Sequence, residues 1–564
     1  MDDTIRLGLE TIAQNKQAIV FCASRASAEK TAEDIATKRS ITNFEAKELA
    51  LEISSSCLNV VSPPTKQCKR LAKMLTKQIA FHHSGLASKQ KDTIETEFKK
   101  GNIKIICATP TLAAGLSLPV FRVICKSLKR FSGRFGMNWI PTLEYLQMAG
   151  RAGRPEYEKF GEAIAIAKSD GEKDEIYQKY ICGQPEEIYS KLNVEPVLRM
   201  YVLSLIASGL IKDTKQLSEF FAKTFWAHQF GDLDELQSVI ERVIQKLQEW
   251  NFVLLGDQEE AQASSTNPTL SKNKNYESKK ETNNLFTSAL DLAAKVTKIP
   301  VTIKKGNSKN KRLKATQLGR RVSELYLDPL TASELINSLQ QAQVWINKAT
   351  EDQTHKLPNE FSYLQSISNT IEMQPLIRIK AKEQEEYNNI LLQHYEELLQ
   401  EEPDVFDLDY TDFMNSVKTA EFFQKWINET TEDKLFNEMN VRPGEIRVKL
   451  ENANWLLYAC YEITKVLGYK EQQAPLQRLR TRVKYGVRKE LLSLMKFKGI
   501  GRNRARVLYN NNFKTIADLR NADQSDLAAL IGPKIAASLK DQLGQKVEPV
   551  KKRTRKGQLS LSKF

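Results

Sequence analysis

Gln147-Met148-Ala149-Gly150-Arg151-Ala152-Gly153-Arg154-Pro155 sets two arginines three residues apart among glycines, with a glutamine just before them. A guanidinium is planar, permanently charged and able to grip phosphate oxygens through two parallel N–H bonds. A pair of them suits stabilising charge on a transferring phosphoryl group, the role called an arginine finger. At three-residue spacing on a helix start, both would share one helical face. Gly150 and Gly153 would weaken a helix whose only task was structural. The complementary half of such a site is missing from these 564 residues. No G-x-x-x-x-G-K-S/T phosphate cradle occurs, and no DExH-type tetrapeptide follows a strand. Gln147, Arg151 and Arg154 are therefore candidate catalytic groups for phosphate chemistry without a phosphate cradle or a metal-binding carboxylate motif beside them.

Other patterns point to nucleic acid. Phe497-Lys498-Gly499-Ile500-Gly501-Arg502-Asn503-Arg504-Ala505-Arg506 has the spacing of a helix-hairpin-helix. Gly499 and Gly501 allow a tight turn that offers backbone amides to phosphate, and Arg502, Arg504 and Arg506 add charge beside it. Helix 445–467 carries Arg447 and Trp455 about two turns apart, a cation and a stacking face for bases on roughly one side. Between 123 and 145, aromatic and basic residues surround glycines and are flanked by β-prone runs, which predicts a hairpin. At the end of the chain, Gln558, Leu561 and Phe564 have the Q-x-x-L-x-x-F form of a sliding-clamp peptide, placed after a run of Lys and Arg.

These groups need scaffolds, and the chain is long enough for several. Apolar runs at 18–22, 103–108 and 163–167 alternate with helical patterns at 26–38 and from 111 onward, implying a parallel sheet with right-handed crossovers. Helices at 197–211 and 233–250, then a strand at 251–255, suit a winged helix. Two polar stretches, 256–284 and 304–314, interrupt it as surface insertions. From 330 to about 468 the pattern is almost wholly helical, with long amphipathic segments at 380–399 and 444–467. The fold class expected is multidomain α/β plus α. Its divisions are 1–184, 185–329, 330–473 and 474–544, followed by a basic tail at 545–564.

Lys and Arg number 84 against 69 Asp and Glu, a net charge of +15 that favours a polyanionic partner. Seven cysteines form no CxxC pair, so neither a disulfide framework nor a zinc site is expected. No apolar run is long enough to span a bilayer, and no signal-peptide core opens the chain, which predicts no membrane association and a cytoplasmic, nucleoid-associated location.

The segment around Gln147, Arg151 and Arg154 resembles the QxxGRxGR motif with which superfamily-2 helicases close the ATP site from their second RecA-like lobe. Upstream, Ile19 to Arg25 is similar to that family's motif IV, His82 to Leu86 to the segment that follows, and Ala108 to Gly115 to motif V. Motif V places small hydroxyls and glycine at a helix start, where Thr109, Thr111 and Gly115 would contact phosphate; Gly150 belongs to the same nucleotide edge. Relatives carry Asn where this chain has Ser117.

The region most resembles archaeal HELQ-type (Ski-like) repair helicases. That resemblance implies a RecA-like lobe, winged helix, ratchet bundle and helix-hairpin-helix. It makes the hairpin a strand-separating wedge, with Phe131 or Phe135 stacked on the last base pair. It makes helix 445–467 the ratchet that grips single-stranded DNA, although the second of two arginines usual there is Val448. It implies 3′ to 5′ unwinding at stalled forks. On this reading the chain is the C-terminal half of a split or truncated helicase, partnered by a polypeptide with the first lobe, by single-stranded and forked DNA, and by a sliding clamp. An RNA helicase subunit of the related exosome-associated group and a non-catalytic DNA-binding scaffold are the alternatives.

Overall fold

The computed structural model describes residues 2–545 apart from 62–63, 114–117, 132–136, 154–159, 232, 257–309 and 352–355. These residues form two compact units, Met1–Ile188 with Glu334–Phe564, and Tyr189–Ser333.

The first unit opens with a five-stranded parallel sheet of β1 (Ala18–Phe21), β2 (Ile79–His82), β3 (Ile105–Ala108), β4 (Arg122–Cys125) and β7 (Glu162–Ala165), in spatial order β2-β3-β1-β4-β7. Every pairing is parallel, with Ala18 opposite Ile105 and Arg122. Strands β1 to β4 are buried along their whole length, as expected where helices cover both faces of a parallel sheet. The runs at 18–22, 103–108 and 163–167 are found as strands. β2 and β4 were not anticipated. β2 ends on His82, and β4 begins on a charge. Arg122 is nevertheless buried, because Glu162 (2.7 Å), the Leu7 carbonyl (3.0 Å) and the Thr11 hydroxyl (2.9 Å) accept its protons.

A two-stranded antiparallel hairpin follows β4: β5 (Lys129–Phe131) pairs with β6 (Met137–Trp139) in the expected place. Its base is held by Tyr180, which packs on Trp139 and Tyr145 and donates to the Ile140 carbonyl at 2.7 Å. The helical part of this unit contains helices Glu360–Ser368, Tyr410–Ile427, Glu432–Met439, Pro443–Leu467 and Lys470–Tyr485. The last of these runs across the expected division at 473/474, with Pro475 inside the helix, where it supplies no backbone N–H to the i→i−4 ladder. The break falls instead at Gly486 (φ +63°). Beyond it, short helices Arg502–Asn510, Ile516–Asn521, Gln524–Ile531 and Pro533–Gln542 enclose their own core of Leu508, Leu519, Leu527 and Leu539. Segment 380–399 is one α-helix, Gln384–His394, between two short 3₁₀ turns, rather than one continuous helix.

The second unit contains helices Glu195–Ala207, Thr214–Ala222, Phe225–Phe230 and Leu233–Glu249, then an antiparallel pair, β8 (Val253–Leu255) and β9 (Leu313–Ala315). This is the helix and wing order of a winged helix. β9 includes the end of the stretch read as a polar insertion. Helix Gln317–Glu324 crosses the wing so closely that a Cβ on Gly319 would lie 2.0 Å from the Phe252 carbonyl oxygen. Arg321 pairs with Glu324 along its own helix.

Candidate nucleotide and nucleic-acid site

The C-terminal ends of β1, β2 and β3 open into a groove of about 870 Å³, the position where ligands bind on open α/β sheets. Ser24 and Arg25 follow β1, Ser84 follows β2, and Thr109 and Thr111 follow β3; Gln147 lies at the edge. Ser24 caps helix Arg25–Lys38 by accepting from the Ser27 amide at 3.2 Å, which fixes the turn that presents Arg25. The hydroxyls of Thr109 and Thr111 are hydrogen-bonded at 2.9 Å. They stand on a single 3₁₀ turn, Pro110–Leu112. Of the helix expected from Thr111, the described residues include only that turn, and residues 114–117 lie outside them. In the sequence Ser24, Arg25 and Ser84 stand out only as members of motifs, and their hydroxyl and guanidinium groups at strand ends are the signal that marks them.

Gln147 sits on helix Thr142–Ala149. Pro141 gives that helix no side-chain cap. Glu186 replaces it, accepting from the amides of Thr142 (2.6 Å) and Leu143 (3.0 Å). Arg151 lies past the C-terminal end of this helix, not on a helix start, because Gly150 ends the helix and Gly153 adopts φ +98°. Arg151 instead leads into a parallel bridge between Ala152 and Val120, in which the Val120 amide donates to the Arg151 carbonyl at 2.9 Å. The helical-face argument for Arg151 and Arg154 therefore does not hold. The Arg151 side chain donates through Nη2 to the Ala113 carbonyl, while Nε is buried with no hydrogen-bond partner among the described residues. A buried, unspent guanidinium donor fits an anionic group such as a nucleotide phosphate. No cluster of potential metal ligands occurs among the described residues. Arg154, Gly115, Phe135 and the side chain of Phe131 lie outside the described residues, as do Gln558, Leu561 and Phe564.

A second cavity of about 500 Å³ shares Arg25 and Ser84 with the first and continues along helix Pro443–Leu467, past Met373, Pro375, Val448 and Asn452. Arg447 is exposed but does not line it; Val448 does, one residue round the helix. Trp455 is half-buried on the same helix. The expected pairing of Arg447 and Trp455 on one face is thus offset, since eight residues leave them about 80° apart at 3.6 residues per turn.

In the helix-hairpin-helix, Gly499 adopts φ +85°, a conformation that favours glycine, and Gly501 caps helix Arg502–Asn510. Its three arginines separate. Arg504 is exposed and bonds only locally, to the Gly499 carbonyl at 3.0 Å. Arg506 forks onto Glu429 (2.6 Å and 2.8 Å) and reaches Glu490 at 2.9 Å. Arg502 lies over the Trp426 ring at 4.8 Å and donates to the Thr430 carbonyl at 3.1 Å. Of the three arginines expected to add charge beside the turn, Arg504 alone is exposed, while Arg502 and Arg506 are engaged by protein groups. Bidentate and stacked contacts favour the neighbouring helices as partners for the other two.

Beneath the groove is a buried network that motif reading missed. Glu29 is 3% exposed and contacts His83, Arg70 and Arg442. His83 Nδ1 accepts from the Gly85 amide at 3.1 Å, so Nε2 carries the proton shared with Glu29, also at 3.1 Å. Burial pushes the Glu29 carboxyl up, but His83, Arg70 and Arg442 outweigh that and hold it at about 2. Burial also lowers the His83 pKa. A depressed carboxyl stabilises the fold above its unfolded pKa, and that stabilisation is lost as pH falls. Urea denaturation between pH 5 and 2 should show wild type losing stability faster than Glu29→Gln, the difference amounting to roughly 3 kcal/mol. Parallel curves would contradict this assignment.

The parallel lobe with hydroxyl and arginine groups at its strand ends, together with a winged helix, a helical bundle and a helix-hairpin-helix, defines a helicase-type multidomain protein. Profiles match accordingly: "Helicase conserved C-terminal domain" over residues 46–156, "Helix-turn-helix domain" over 161–254, "Archaeal helicase, domain 4" over 361–486 and "SAM-like Helix-hairpin-helix tandem" over 490–545. The chain is 34% identical over 559 residues to the ATP-dependent DNA helicase Hel308 of Pyrococcus horikoshii, covering 98% of this chain and 67% of the relative. The Hel308 proteins of Methanocella arvoryzae (33%, covering 97% and 65%) and Methanococcus vannielii (32%, covering 95% and 67%) are similar. The chain belongs to the Hel308 family and spans about two thirds of the length of these relatives. No helix among the described residues is long and apolar enough to cross a membrane.

Proposed function

We propose that this chain acts in an ATP-dependent 3′ to 5′ DNA helicase of fork repair and restart, supplying the second motor lobe and the DNA-guiding domains. The observation that carries this is the continuous groove. Strand-end hydroxyls and Arg25 on the lobe lead directly onto the long bundle helix, a path with phosphate donors at one end and an apolar wall at the other. Its first RecA-like lobe, on whichever polypeptide carries it, holds the ATP phosphates and Mg²⁺. ATP supplies the free energy of closure and hydrolysis. Arg151 offers its buried Nε to the nucleotide edge, Arg154 acts beside it, and Gln147 senses occupancy. Thr109 and Thr111 hold DNA phosphate, helix Pro443–Leu467 grips the single strand with Trp455 as a stacking face, and the 129–139 hairpin parts the duplex. A sliding clamp engages the Gln558, Leu561 and Phe564 peptide. DNA is favoured over RNA by the helix-hairpin-helix together with the clamp-type peptide.

The two surviving kinds of arginine give the test. Arg504→Ala should weaken binding of single-stranded DNA uniformly across sequences and reduce the slope of log affinity against log salt by about 1, read by fluorescence anisotropy. Arg506→Ala should leave that slope unchanged. Equal slopes for wild type and Arg504→Ala would remove the helix-hairpin-helix from the DNA path, and tighter binding of RNA than DNA would reverse the substrate.

A further inference from the structure

Three lysines are buried among the described residues: Lys418, Lys449 and Lys540. A buried ammonium must find acceptors for its N–H donors or give up its proton. Lys418 is held by the Glu383 carboxylate at 2.5 Å. Lys540 is enclosed by the carbonyls of Leu519, Arg520 and Ala522 and by the Gln545 amide oxygen. Lys449 donates only to the Pro375 carbonyl at 2.8 Å and, more weakly, to the Met373 carbonyl at 3.4 Å. Of the three, Lys449 alone lines the cavity of about 500 Å³ along helix Pro443–Leu467. Burial lowers its ammonium to about 8, against a smaller opposite pull from Glu445 on the same helix. At pH 7 about a tenth of Lys449 is then free amine, where an ordinary lysine has less than about a thousandth. With two N–H bonds spent on carbonyls, the lone pair of that amine takes the direction left over. The cavity wall beside it is apolar, with Met373, Leu376 and Val448. Arg378 and Lys380 stand exposed at the same cavity, where cations suit backbone phosphates, and Arg25 lies there paired with Glu445.

We propose that Lys449 captures abasic sites in single-stranded DNA by forming a reversible imine with the ring-opened deoxyribose. An abasic nucleotide keeps its phosphates but presents an aldehyde at C1′, where the base was attached. Its phosphates lie against Arg378 and Lys380, while the sugar, relieved of its base, enters the apolar part of the cavity and meets Nζ. A desolvated lysine amine beside a carbonyl compound is the usual setting for such a bond. The amine lone pair forms the N–C1′ bond, and both amine protons leave with the aldehyde oxygen as water. Hydrolysis along the same path in reverse releases amine and strand unchanged, so no oxidant or reductant is needed. A strand drawn along the helix is thereby arrested at a missing base. The capture rests on the DNA path proposed above.

The test uses the whole chain, a single-stranded oligonucleotide with one abasic site, and cyanoborohydride, which reduces an imine to a stable amine. A covalent adduct should form, and peptide mass spectrometry should place it on Lys449. Its rate should rise about tenfold between pH 6.5 and 8 and then level off, whereas attack by surface lysines keeps rising beyond pH 9. Lys449→Arg, which keeps the charge but forms no such imine, should lower the yield at least about tenfold. Thermal unfolding checks that this variant is folded; if it is not, the site mapped in wild type decides. An adduct spread over surface lysines, or an equal yield from a folded Lys449→Arg, would overturn the capture. So would the absence of adduct in a wild type that binds abasic and intact oligonucleotides alike, and the DNA path would then stand without it. Intact single-stranded DNA should suppress the adduct in proportion to its own binding. An adduct on Lys449 that intact DNA does not suppress would place this lysine off the DNA path, overturning that path and the capture together.

Discussion

Arg154→Ala, assayed with a first-lobe polypeptide at saturating single-stranded DNA, is expected to hydrolyse ATP about 10³-fold more slowly than wild type, and Arg151→Ala to be similarly impaired. Only a group that meets charge as it develops on the transferring phosphoryl produces a loss of that size, because such contacts are stronger in the transition state than in the ground state. The two substitutions should differ in their side effects. Arg151 also donates to the Ala113 carbonyl, tying the end of the Gln147 helix to the segment that follows β3. Its removal should therefore disturb Thr109 and Thr111 as well, and weaken DNA binding modestly. Lysine should rescue neither position, since an ammonium lacks the planar fork. Steady-state hydrolysis with a parallel anisotropy titration separates the two effects. Unimpaired hydrolysis by Arg154→Ala would dismiss the finger.

Trp426→Ala is expected to cost about 3–5 kcal/mol in guanidinium denaturation, the usual range for deleting a buried large aromatic. Trp426 is 8% exposed and donates from its indole nitrogen to the Val483 carbonyl at 2.8 Å. A Cβ on Gly486 would lie 2.6 Å from its ring, so the residue at which the bundle ends is shaped around it. It also carries Arg502 of the helix-hairpin-helix on its face. Its loss removes packing, a hydrogen bond and a cation–π contact together. The helix-hairpin-helix, with a core of its own, should remain folded but lose its fixed attachment. Limited proteolysis near Gly486 should then become faster. A stability change below about 1 kcal/mol would mean that the site collapses around the cavity.

Which parts of this protein are legible in sequence follows from how local their causes are. Strands β1 and β3 are runs of four apolar residues, and the long helix carries a continuous amphipathic pattern with Gly468 at its end; both signals are written within a single element. β4 was missed because Arg122 is buried by partners 40 and 115 residues distant, a pattern that no window of sequence displays. The Arg151 geometry failed for a similar reason. Glycines that looked like relief for a helix start in fact end one, and Val120, far back in the chain, sets the direction of the segment. Motifs located the groove, since strand-end residues do not depend on distant partners. They missed Glu29 altogether, because a glutamate among helix residues looks like solvated surface until His83, Arg70 and Arg442 converge on it. The ion pair of Arg506 was illegible for the same reason, since its partner Glu429 is 77 residues earlier.

The central claim is that this chain completes a motor. The measurement that bears on it most directly is ATP hydrolysis by the chain mixed with a polypeptide carrying the first RecA-like lobe, with and without single-stranded DNA. The account predicts DNA-stimulated hydrolysis by the mixture, none by either component alone, and displacement of a strand in the 3′ to 5′ direction. A mixture that binds DNA with both components present yet hydrolyses no ATP would contradict it.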